Sequence, residues 1–146
     1  MTVGPLDKLV KLRKLRVENA VRDLTELRAK KQEAEQRLRR EHERFQGLLS
    51  QHAQVETGLY SAVGRSFAEL AAINGDILAI RAIIQGCRNT IANIEEELGD
   101  IEKKIVEARE KWRQCERAHD RSNELSEELK KRDMMVALAR EEFTDS

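Results

Sequence analysis

The chain has 146 residues, 37% of them charged and 3% aromatic, with 27 basic and 27 acidic side chains. It is long enough for one domain, too charged for an ordinary globular core and, at 40% hydrophobic, too apolar for disorder. Zero net charge speaks against a general nucleic-acid binder, which more often carries a positive excess.

The N-terminal run "MTVGPLDKLVKLRKLR" lacks the apolar centre of a secretory signal. No stretch approaches 18 consecutive apolar residues, so no membrane insertion is expected. Pro5 is the only proline, which leaves everything after it free to run as helix. A first arm over residues 5–63 carries Val17, Ala20, Leu24, Leu27, Lys31, Ala34, Leu38, Glu41, Phe45, Leu48, His52, Val55, Leu59 and Ala62 at alternating spacings of three and four. Eleven of these 14 are apolar, the pattern of a coiled-coil stripe. Lys31, Glu41 and His52 interrupt it, either as a polar site or as register control with their polar ends reaching out of the stripe. His42, His52 and His119 are too scattered for a metal set.

Two apolar residues of this arm, Leu12 and Leu15, fall off the stripe. They sit among Lys8, Lys11, Arg13, Lys14 and Arg16, a run with no acid. A solvated basic face needs no leucines, so the group is read as a partner contact or as a helix end packed on the chain's own tail.

A turn is expected at about 64–66. Gly64 can end one helix and Ser66 start the next, with Glu69 completing a capping box. Asn74-Gly75 is the alternative. The second arm, 67–142, carries the stronger stripe: Ile73, Ile77, Ile80, Ile84, Cys87, Ile91, Ile94, Leu98, Ile101, Ile105, Ala108, Trp112 and Cys115, all apolar. Two stripes of similar length in one chain predict an all-α fold, two long helices forming an antiparallel coiled-coil hairpin on the order of 90 Å long.

A fold near Ser66 sets Trp112 against Ala20, Phe45 against Cys87 and Leu24 against Ala108, large facing small each time. A fold near Ile73 sets Phe45 against Ile101 and Ala20 against Ser126, a poorer match. Charge supports antiparallel ends: residues 1–50 hold 13 basic and 8 acidic side chains, and residues 92–146 hold 11 and 16. In the first register the second helix overhangs the N-terminus. The cysteines at 87 and 115 would lie about 42 Å apart on one helix and so cannot bridge within it.

Residues 51–91 hold only three basic and three acidic side chains. Leu49, Tyr60, Val63, Phe67, Leu78 and Ile83 lie there or beside it, off the stripe or in the turn. Part of this apolar set must close the turn, and the rest suggests a second contact surface. No phosphate-binding G-x-x-x-x-G-K-[ST] motif occurs and no nucleophile–base arrangement is suggested. An enzyme is not expected, and neither is a cofactor or metal. A scaffold or chaperone-like adaptor built on the hairpin fits this pattern.

The segment "LDKLVKLRKLRVENAVRDL", residues 6–24, resembles the opening of the YscO/FliJ family of type III secretion proteins, matching an LxxLxxLRxxRxxxA-like pattern at Leu9, Leu12, Arg13, Arg16 and Ala20. "LRVENA" is most similar to the YscO branch. The resemblance implies an antiparallel coiled coil similar to the stalk of rotary ATPases, in the bacterial cytoplasm and peripheral to the inner-membrane secretion apparatus. The implied partners are a hexameric secretion ATPase and an export-gate protein, with chaperones as further candidates. Carried over by position, Leu9, Leu12, Arg13, Leu15 and Arg16, with Arg132, Val136 and Arg140 of the overhang, would face the ATPase. Leu49, Tyr60, Phe67, Leu78 and Ile83 at the tip would face the gate. The low-charge, glycine-bearing tip departs from that pattern.

Overall fold

The computed structural model describes residues 4–61, 64 and 66–145. Within them the fold is all-α: helix α1 spans Pro5–Tyr60 and helix α2 spans Phe67–Asp145, and the two pack against each other as a hairpin. Both helices begin as their sequences require. Pro5 opens α1, where its missing N–H is no loss, and the Gly4 carbonyl accepts from the Asp7 amide at 3.1 Å. Asp7 in the first turn complements the helix dipole. At α2 the Ser66 hydroxyl accepts from the Glu69 amide at 3.3 Å, and the Ser66 carbonyl from the Leu70 amide at 3.1 Å. Gly64 precedes this cap with φ +89°, a conformation that a Cβ would strain. Of the remaining residues expected at the end of the first arm and in the turn, Ala62, Val63 and Arg65 lie outside the described residues. Asn74 and Gly75, the other candidate for a turn, are helical within α2.

Contacts divide the hairpin into two units, one of Met1–Arg28 with Lys103–Ser146 and one of Ala29–Glu102. In the second, α2 contributes Ile77, Ile80, Ile84, Cys87, Ile94 and Ile101 to the core, and α1 contributes Ala34. Leu38, Phe45, Leu48 and Val55 of α1 are half-buried on the same seam. With only one neighbour helix, a bulky side chain cannot be covered on all sides, so full burial falls to isoleucines that point straight across and to small residues. Cross-helix pairs report the register. Lys31 Nζ lies 3.8 Å from Glu102, Arg37 Nη2 is 2.8 Å from Glu97, Arg81 donates to His52 at 3.2 Å, and the Arg88 guanidinium stands 5.6 Å from the Phe45 ring centre. These pairs belong to the register that folds near Ser66. Each is open to solvent on at least one side and so contributes little, and the apolar seam supplies most of the pairing energy.

The first unit is built differently. Ala20, Leu24 and Ile105 are buried, but so are Ser122 and Ser126. The two serines continue the three-and-four spacing beyond Cys115, and α1 meets them with polar groups. Arg13 Nη1 donates to the Ala118 carbonyl at 2.8 Å and to the Ser122 hydroxyl, and Ser126 donates to an Asp7 carboxylate oxygen at 3.3 Å. Beyond this layer residues 131–144 of α2 are exposed throughout.

Candidate partner surfaces

The basic face of the first unit comes from helical spacing. Leu12, Leu15 and Arg16 stand at i, i+3 and i+4, so they share one side of α1, and all three are exposed. Leu9 is half-buried. Arg13 is otherwise engaged, since its guanidinium holds α1 to α2 through Ala118 and Ser122. On α2 of the same unit, Arg132, Val136 and Arg140 recur every four residues and are exposed. The unit therefore offers two apolar-plus-arginine faces, with no charge of opposite sign paired to Arg16, Arg132 or Arg140 among the described residues. An open groove between the start of α1 and the late part of α2 is lined by Leu6, Ser126, Leu129, Met134 and Ala137. Sequence reasoning missed this groove and the Arg13–Ser122 and Asp7–Ser126 layer beside it. The signal was present in the spacing, but serines at stripe positions read as surface.

In the second unit the off-stripe set divides. Tyr60 is 82% and Phe67 87% exposed, flanking the turn, and Leu78 and Ile83 are exposed on α2. Leu49 is half-buried and belongs partly to the core. The three interruptions of the first stripe all bond across the seam. Lys31 and His52 meet the α2 side chains named above, and the Glu41 carboxylate accepts a hydrogen bond from the Cys87 thiol at 3.3 Å. Burial pushes the Cys87 thiol up from its ordinary range, and the neighbouring Glu41 carboxylate adds to the shift. At neutral pH it is therefore a protonated packing group rather than a nucleophile. Because the folded thiol has the raised value, its contribution to stability is complete below the ordinary thiol range and falls as pH climbs through the folded value. Cys115 is half-buried and also free.

Among the described residues no group of His, Cys, Asp and Glu could hold a metal ion, and no helix is long and apolar enough to cross a membrane. What the two helices present is an all-α helical hairpin with exposed apolar and arginine faces. The family model described as flagellar FliJ protein matches residues 1–144, and the chain belongs to that family, whose members serve type III protein export. No curated protein and no solved structure matched the chain.

Proposed function

We propose that this chain is a non-enzymatic central-stalk protein of a bacterial type III export system. In this reading it binds and regulates the hexameric export ATPase and links it to the export gate, with chaperones as further partners. It works in the cytoplasm, at the inner-membrane apparatus. The observation that carries the reading is the family match over residues 1–144 of a chain whose basic end exposes leucines beside arginines. Leu12, Leu15 and Arg16, with Arg132, Val136 and Arg140, would contact the ATPase; Leu9 would support them from beneath and Arg13 would fix the helix that carries them. Tyr60, Phe67, Leu78 and Ile83, with Leu49 behind them, would meet the gate. The segment "LRVENA" favours the YscO branch of the family.

A single hairpin facing six equivalent subunits contacts them unequally. If it binds one subunit conformation better than another, it shifts their populations by that difference in affinity and no more. Binding to the assembled ring alone also favours assembly by mass action. Saturating amounts of the purified chain are therefore expected to raise both the hydrolysis rate of the export ATPase and its hexamer fraction in sedimentation. If neither changes, the chain is a scaffold or adaptor instead.

A further inference from the structure

The exposed end of α2 holds a face that the proposed ATPase surface does not use. Lys131, Met135, Leu138 and Glu142 stand at i, i+4, i+7 and i+11, so at 100° per residue they form one narrow stripe. Met135 is 70% and Leu138 56% exposed, and Lys131 and Glu142 make no ion pair among the described residues. The stripe points away from Ser122 and Ser126, which face α1, and Arg132, Val136 and Arg140 lie on another side of the helix.

The order of the stripe reads basic, apolar, apolar, acidic, which is complementary to itself when reversed. Laid antiparallel on a second copy about a two-fold axis, Lys131 meets the partner's Glu142, Met135 meets the partner's Leu138, and each contact occurs twice. A parallel copy would set Lys131 on the partner's Lys131 and Glu142 on the partner's Glu142. A partner of uniform charge would satisfy one end and repel the other. We propose that this stripe is a self-association face through which two copies of the chain pair by antiparallel contact of their α2 ends. The contact spans about three helical turns, roughly 16 Å, well below the size of a standard interface, so the pair is weak and concentration-dependent. Because its polar contacts are rim charges in high dielectric, added salt weakens it.

The test is sedimentation of the full chain across concentration. Wild type is expected to show a concentration-dependent dimer. Lys131→Glu sets like charges against Glu142 at both symmetric contacts and is expected to weaken the dimer at least tenfold, as is Glu142→Lys. The double variant K131E/E142K restores opposite charges and is expected to return to within about threefold of wild type. All four residues are exposed, so circular dichroism should report the same helicity throughout. A chain that stays monomeric at all concentrations would overturn the proposal, as would a dimer indifferent to Lys131→Glu or a double variant no better than the singles. The proposed ATPase contact lies on a different side of the helix, so failure of this test leaves that reading standing.

Discussion

Ile84→Asp is expected to abolish the cooperative thermal transition of the hairpin, whereas Ile83→Asp, one residue earlier, leaves it nearly intact. Ile84 is 6% exposed on the seam and Ile83 is 45% exposed. Truncating such a buried isoleucine to alanine removes about 2–4 kcal/mol, from lost transfer energy and the cavity left behind. Aspartate adds the desolvation of a carboxylate at a seam position among apolar residues, which brings the loss to about 5 kcal/mol or more. That matches the whole stability of many small domains. At Ile83 the carboxylate stays in water, and the change is about 0.5 kcal/mol of helix propensity. Circular dichroism melts of the two variants make the comparison directly. Equal losses would mean that the assigned seam does not hold the hairpin together.

The second large effect is on binding. Leu12→Asp combined with Arg16→Glu is expected to weaken association with the export ATPase by about 100-fold or more while leaving helicity unchanged. Both side chains are exposed and neither makes a hydrogen bond or ion pair to α2, so the folded state loses no polar contact across the helices. At an interface, an arginine anchor at the centre is worth on the order of 2 kcal/mol, reversing its charge adds repulsion where a complementary acid is expected, and burying an aspartate in place of leucine adds a desolvation cost. Arg13→Ala is the instructive contrast. It would remove donors to Ala118 and Ser122 and so act on packing of the Met1–Arg28 and Lys103–Ser146 unit before it acts on a partner. A fall in helicity with Leu12→Asp and Arg16→Glu would mean those residues hold the fold, not a partner.

Much of the hairpin was legible in the residues because two helices need only a stripe. Ile73, Ile77, Ile80, Ile84, Ile91, Ile94, Ile101 and Ile105 are spaced for one face, whereas Ile83 falls off that spacing and is exposed. The two turn candidates were harder to separate, since Ser66 with Glu69 and Asn74 with Gly75 are both plausible breaks in local terms. Asn74 and Gly75 remain helical because Ile73 and Ile77 on either side are held on the seam, and helix breaking there would release both. The polar layer was less legible. Whether Ser122 and Ser126 are buried depends on what lies across from them, and Arg13 and Asp7 are more than 100 residues away in sequence. Likewise Arg13 belonged by pattern with Arg16. Only coordinates show that one points to α2 and the other to solvent. The faces proposed for partners rest on exposure, and exposure of Leu12 and Leu15 could be read from their position off the stripe, while the partner itself could not.

The assignment of partners to surfaces is tested most directly by photocross-linking in the assembled export apparatus. A benzophenone side chain in place of Leu15 is expected to capture the ATPase and not the gate protein, and one in place of Phe67 the gate protein and not the ATPase. An ATPase adduct from position 67, with none from position 15, would contradict the account.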